Sequence, residues 1–262
     1  MRLDAALRDA VIDLSRRAAD AILAVYAGDF DVQHKGDASP VTAADMAAHH
    51  CIVDGLAALT PDIPVLSEES AHSVALATRR QWTRLWLVDP LDGTRDFVKR
   101  NGEFSVNIAL IENGVAVFGL IQQPVGGGLW WAQAGQGAFA RTGDADQRLQ
   151  TRRPATPPLN VAASRSHRDA RTQAMLDRLQ GANEIALPSS LKFCRIADGR
   201  IDLYPRFGPT SEWDTAAGQV IVEQAGGIVH DPRGRPFRYN QRDTLLNGDF
   251  IAAGDPALAS VA

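Results

Sequence analysis

Leu85-Trp86-Leu87-Val88-Asp89-Pro90-Leu91-Asp92-Gly93-Thr94 joins an unbroken apolar run to a turn carrying two carboxylates. Four apolar residues without a polar interruption predict a strand covered on both faces. Asp89 and Asp92 stand directly beyond it, and ligands in α/β folds gather at the carboxyl ends of strands. Asp89 has two oxygens and can bridge two cations. Pro90 stiffens the turn and offers no N–H, Leu91 can contribute its carbonyl oxygen, and Asp92 adds a carboxylate on the same side. Gly93 permits a close backbone approach, and its N–H with that of Thr94 can cradle a phosphate where a short helix over 95–99 starts.

On the N-terminal side, Leu7, Val11, Leu14, Ala18, Ile22 and Val25 follow the 3-and-4 spacing of a helix over 5–27, with Asp4 as its cap and Gly28 beyond its end. Thr42 opens a second helix running toward Leu59, and a short strand follows over 65–67. On the C-terminal side, strands over 105–111 and 115–121 meet at Asn113-Gly114, a strong hairpin signal. A second hairpin is expected from 129–133 and 138–141. Residues 142–158 turn polar and proline-bearing and mark a boundary. Beyond it, strands over 159–163, 201–204 and 227–229 alternate with helices over 169–180, 190–198 and 212–225, which predicts α/β layering.

Two more acidic segments sit at ends of elements. Ser67-Glu68-Glu69-Ser70 follows the strand over 65–67, and Trp213-Asp214-Thr215-Ala216-Ala217-Gly218 occupies the first turn of a helix capped by Thr210 or Ser211. Carboxylates from three separate places are what a Mg²⁺ site needs, because that ion takes oxygen ligands and shares them with substrate phosphate. Each acid also has an ordinary structural reading. Asp-x-x-Asp-Gly is common in turns, Glu68 and Glu69 fit a solvated loop, and Asp45 and Asp214 each fit a capping box. It is their joint occurrence in one chain that favours a cation site.

Composition narrows the field further. The chain has 262 residues, 45% of them hydrophobic, and a formal net charge of −4, which argues against binding of a nucleic-acid polymer. No stretch is apolar enough to span a bilayer, and the N-terminus lacks the pattern of a signal peptide, so a cytoplasmic address is expected. Cys51 and Cys194, the two cysteines present, read as reduced buried thiols. Neither a G-x-S-x-G elbow nor a P-loop occurs, and the adjacent His49-His50 pair lacks zinc spacing.

The order Ser67-Glu68-Glu69-Ser70, then Asp89 to Thr94, then Trp213 to Gly218 with Gly226-Gly227, resembles the paired signatures of the inositol-monophosphatase-like superfamily across nearly the whole chain. Ser39 to Asp45, Phe97 to Phe104, Ser189 to Cys194 and Leu203 to Thr210 narrow the resemblance to CysQ-type 3'(2'),5'-bisphosphate nucleotidases. Arg95-Asp96 stands where Lys-Glu is expected, which keeps both charges. The resemblance implies the layered α/β/α/β/α sandwich of the inositol-monophosphatase and fructose-1,6-bisphosphatase type. It also implies an N-terminal α+β half over 1–150 carrying most metal ligands, and a C-terminal α/β half over 151–262 carrying Asp214 and the nucleotide contacts, packed as one unit. Metal ligation is implied for Glu68, Asp89, the Leu91 carbonyl, Asp92 and Asp214, holding two or three Mg²⁺ ions. Asp45 and Thr94 resemble the pair that orients and deprotonates the attacking water, with Glu69 behind a ligand.

The expected activity is Mg²⁺-dependent, lithium-sensitive hydrolysis of the 3'-phosphate of adenosine 3',5'-bisphosphate to AMP, a step of sulfur metabolism. Gly93, Thr94, Ser190, Lys192, Arg206 and His167 are the expected substrate contacts, with Lys192 and Arg206 the cations for the second phosphate. An inositol or sugar phosphatase shares the metal core, and the residues near Ser190 and Arg206 favour the nucleotide over it. A non-enzymatic regulator on the same scaffold would be marked by a lost ligand, and none is lost. Family habit suggests a homodimer. Peripheral membrane association rests on analogy alone, with no amphipathic basic helix or lipidation signal behind it.

Overall fold

Alternate residues of the 85–88 run face opposite cores. Leu85 and Leu87 enter one buried cluster, while Trp86 and Val88 enter another. This computed structural model describes residues 3–28, 32–34, 40–163, 170–179 and 181–261. The chain begins with α1 (Ala5–Tyr26), β1 (Val32–His34), β2 (Pro40–Thr42), α2 (Ala43–Leu59), β3 (Val65–Ser67), α3 (Leu76–Arg79), β4 (Arg84–Asp92) and α4 (Thr94–Val98). A run of strands follows as β5 (Ser105–Glu112), β6 (Val115–Gln122), β7 (Leu129–Gln133), β8 (Gly137–Thr142) and β9 (Ala145–Arg148). Then come β10 (Asn160–Ala163), α5 (Ala170–Arg178), β11 (Asn183–Ala186), α6 (Leu191–Ala197), β12 (Leu203–Arg206), α7 (Glu212–Gln224), β13 (Ile228–His230) and β14 (Phe250–Ala253).

Strands β3 to β9 pair in sequence order into a seven-stranded sheet that is parallel at β3–β4 and antiparallel thereafter. One face packs α1 and α2 through Leu14, Ile22, Ile52 and Leu56 against Trp86, Ile108 and Phe118. The other packs α6 and α7 through Phe193, Ile196, Ala217 and Ile221. The same helices cover a five-stranded sheet of order β11-β10-β12-β14-β13, represented in that core by Ala162, Tyr204, Phe250 and Ala252. On its far face Val161, Leu203 and Ile251 bury Met175 and Leu176 of α5. The layers are therefore α/β/α/β/α. No helix among the described residues is long and apolar enough to cross a membrane.

Glycines set how closely α7, the carrier of Asp214, approaches its neighbours. A Cβ at Gly119 of β6 would lie 2.4 Å from the Ala217 carbonyl oxygen, and one at Gly218 would lie 2.3 Å from Phe193 Cδ2. Backbone cannot retreat from such a contact without moving the helix. Gly119→Ala is therefore expected to lower stability by about 1–3 kcal/mol or more in urea unfolding, with the midpoint falling at unchanged slope.

The structure departs from the sequence-based expectations in several places. β4 continues through Pro90 to Asp92 because a bulge there sets one extra residue against β5: Asp89 faces Asn107 and Asp92 faces Ser105. β12 runs past Pro205 to Arg206, since its β10 neighbour pairs only at Val161–Leu203 and needs no N–H from Pro205. The polar stretch after Thr142 contains a fully exposed strand, β9, and β11, α3 and β14 were not anticipated. α4 starts at Thr94 rather than at residue 95.

Candidate active site

Strand ends, a bulge and helix caps deliver the candidate carboxylates. Asp89 lies within β4 just before the bulge, only 2% exposed, and its Oδ1 accepts the Leu91 N–H at 3.0 Å, which closes the bulge around Pro90. Gly93, at φ +94°, then reverses the chain into α4. The Glu68 N–H donates to the Val88 carbonyl at 3.0 Å, which ties the end of β3 beside β4. Asp214 sits in the first turn of α7, where its Oδ2 accepts the Ser211 N–H at 2.7 Å. Asp45 does the same for α2. Its Oδ2 accepts both the N–H and the hydroxyl of Thr42 at 2.7 Å. Oδ1 of the same carboxylate accepts the Thr94 hydroxyl at 3.1 Å. Both acids cap their helices, and Asp45 keeps its second oxygen on the Thr94 hydroxyl.

Oxygens of Asp89, Asp92 and Asp214 lie within 4.8 Å of one another. Burial pushes the Asp89 carboxyl well up, and Glu68, Asp92, Asp214 and Asp45 around it add to the rise. Asp214 is raised by burial and by Asp92 and Glu68, against the pull of the Ser211 N–H and of Arg206. So many negative groups at such separations repel strongly unless a cation or protons stand among them. Every donor is a carboxylate or carbonyl oxygen, the set that suits Mg²⁺ rather than a soft metal. The Leu91 carbonyl fits this set, lying 3.3 Å from the Thr94 hydroxyl on the same side of the turn.

Above the carboxylates opens a cleft of about 380 Å³. Glu68, Asp92, Gly93, Thr94, Lys192, Arg206 and Asp214 line it, whereas Asp45, Asp89 and Leu91 lie behind the lining. Lys192 is 5% exposed, and its Nζ donates to the carbonyls of Leu187 and Ser189 at 3.1 and 2.7 Å. Burial, helped by Arg206 and opposed by Asp92 and Asp214, brings its pKa down to about 8. Arg206 donates to the Pro209 carbonyl at 3.0 Å. Glu69 is half-buried and does not line the cleft. His167 lies outside the described residues.

Ser190 lines the cleft, and both its N–H and its hydroxyl, the latter at 2.6 Å, reach Asp92 Oδ2. In this structure its polar atoms thus hold a carboxylate. Asn107 is the site residue that sequence reasoning missed. Its Nδ2 donates to Ser190 Oγ at 2.8 Å and approaches Asp92 Oδ2 at 3.4 Å. The signal was available, because Asn107 is the one amide inside the apolar run Val106 to Ile111.

The inositol monophosphatase family profile matches residues 4–260. The chain is 49% identical over 244 residues to the 3'(2'),5'-bisphosphate nucleotidase CysQ of Escherichia coli K12, covering 92% of this chain and 97% of that one. It also resembles the crystal structure of CysQ from Bacteroides thetaiotaomicron, at 39% identity and a TM-score of 0.81, with 94% and 96% of the two chains covered. An inositol monophosphatase from Thermotoga maritima follows at 27% identity and a TM-score of 0.80, with 95% and 92% covered. Sequence, layering and site agree across nearly the full length, and the chain belongs to the inositol monophosphatase family.

Proposed function

We propose that this phosphatase hydrolyses the 3'-phosphate of adenosine 3',5'-bisphosphate to give AMP and phosphate, and that Mg²⁺ is its cofactor. The observation that carries the reading is the meeting of Asp89, Asp92 and Asp214 oxygens within 4.8 Å, two of these acids lining the cleft. Glu68, Asp89, Asp92, Asp214 and the Leu91 carbonyl would hold the cation. When bound, Mg²⁺ supplies Lewis-acid polarisation of the phosphoryl oxygens and offsets the charge of the carboxylates.

The remaining work falls to residues of the chain. Asp45, held by Thr42, keeps Oδ1 on the Thr94 hydroxyl, so that hydroxyl can orient an attacking water and pass its proton toward the carboxylate. The amides of Gly93 and Thr94 can stabilise charge on the equatorial oxygens of the phosphoryl group. Asn107 and Ser190 fix the Asp92 carboxylate.

The choice of a nucleotide bisphosphate is supported by Lys192 and Arg206 in the same cleft, which would meet a second phosphate, and by the name of the 49% identical relative. Phosphate release from adenosine 3',5'-bisphosphate and from inositol 1-phosphate tests it. The expected result is a higher kcat/KM for the bisphosphate, and an Arg206→Ala variant that loses about tenfold on that substrate but little on the inositol ester, as expected for a charge-assisted contact. A preference for the inositol ester in the parent enzyme would overturn the substrate assignment.

A further inference from the structure

A buried ionic network outside the cleft surrounds the turn that carries Asp214. Glu212 is fully buried, and its carboxylate accepts the Asn240 N–H at 2.6 Å and Arg242 at 2.8 Å. Its own N–H donates to the Leu245 carbonyl at 2.8 Å. Asn247 Nδ2 reaches the Ser211 carbonyl at 2.7 Å and Thr215 Oγ1 at 2.9 Å, and its Oδ1 accepts from Arg242 at 2.9 Å. Residues 240–247 are thus strapped across the first turn of α7.

The other end of the strap is held by Arg79, the last residue of α3 and only 3% exposed. It donates to Asn240 Oδ1 at 2.9 Å and to the carbonyls of Arg242 and Asp243 at 2.9 and 2.6 Å. Asn240 Nδ2 returns a bond of 2.6 Å to the Arg79 carbonyl. α3 follows the Glu68-Glu69 loop through a 3-10 turn at Ala71–Ser73, pinned by Ser70 N–H to the Ser67 carbonyl and by Ser73 to the Ser70 carbonyl. The Glu68 loop and the Asp214 turn, distant in sequence, are therefore linked through the short, largely exposed 70–78 segment to Arg79, and from Arg79 by the bonds of Asn240 and Glu212 to the first turn of α7. None of Arg79, Asn240 and Glu212 lines the cleft.

We infer that Arg79, Asn240 and Glu212 form a positioning network that fixes the Glu68 loop relative to Asp214 and so sets the affinity of the cation site, an inference that rests on the cation reading above. Carboxylates brought together from β4 and α7 need such a device, because like charges at this separation repel one another. Hydrogen bonds behind metal ligands typically account for 10–100-fold in metal affinity.

Direct Mn²⁺ binding, followed by electron paramagnetic resonance of the free ion, tests this without reference to turnover. Arg79→Lys keeps the charge but cannot span Asn240 and both carbonyls. It is expected to raise the Mn²⁺ dissociation constant roughly tenfold, and Arg79→Ala to raise it further. Melting temperature is measured on the same samples, and if Arg79→Ala does not fold, Arg79→Lys decides. Mn²⁺ affinity equal to the parent in a folded variant, whatever its melting temperature, would overturn the inference, and a lowered melting temperature beside it would make the network merely structural. Parent protein that binds no Mn²⁺, or an Asp214→Asn variant that binds it as tightly as the parent, would instead defeat the cation reading and this inference with it.

Discussion

Asp214→Asn is expected to lower kcat by about a thousandfold or more, because on the proposed mechanism several kcal/mol of transition-state stabilisation depend on the cation Asp214 would help to hold. The fold survives, since an asparagine oxygen can still accept the Ser211 N–H that Asp214 Oδ2 accepts at 2.7 Å. In chelator the variant is expected to melt higher than the parent. The sign follows from the raised Asp214 carboxyl. The metal-free folded form retains a proton that the unfolded chain releases near pH 4, so parent stability falls as pH rises through the folded pKa. The amide does not titrate. The advantage of the variant is therefore small at pH 5 and grows toward pH 8. Thermal melts in chelator at the two pH values, beside kcat at saturating Mg²⁺, read both effects. A variant that melts lower than the parent at pH 8 would contradict the charge-repulsion account.

Asp45→Asn separates chemistry from helix capping in a different way. Its single carbonyl oxygen is expected to take the Thr42 N–H and hydroxyl, as Oδ2 does now, which leaves the NH₂ facing Thr94. The hydrogen bond to Thr94 then reverses, and the hydroxyl becomes an acceptor with no base to receive its proton. Loss of general-base assistance is expected to cost about 10²–10⁴ in kcat, with little change in KM or in melting temperature. Near-normal kcat in this variant would remove Asp45 and Thr94 from the water-activating role.

Much of the molecule is legible because local and tertiary signals agree. Asp4 caps α1 through the Leu7 N–H at 2.8 Å, as the serial order of Asp4 and the apolar stripe indicates. The 85–88 run is a two-sided strand because helices cover both of its faces. The order of β5 to β8 follows from hairpins, in which sequence neighbours are also spatial neighbours. Other parts carry no such local signal. β9 has four exposed residues and is defined only by its ladder with β8. The order of the second sheet places β14 between β12 and β13, a crossover no periodicity encodes.

The site divides along the same line. The carboxylates were visible because acidic residues are conspicuous at the ends of strands and helices. Asn107 is conspicuous in sequence as the one amide of its apolar run, but its role comes from bonds to Ser190 and Asp92 that only the fold brings within reach. Ser190 was visible as a residue, but its bonds to Asp92 depend on α6 meeting β4 and β5 across the cleft. The Arg79–Glu212 network is invisible for the same reason, because its members meet only through folding.

Phosphate release from adenosine 3',5'-bisphosphate by chelator-treated enzyme, titrated with Mg²⁺, tests the account at its centre. Turnover is expected to be absent without the ion and to rise to saturation as it is added. Full turnover by metal-free enzyme, or none at any Mg²⁺ concentration, would contradict it.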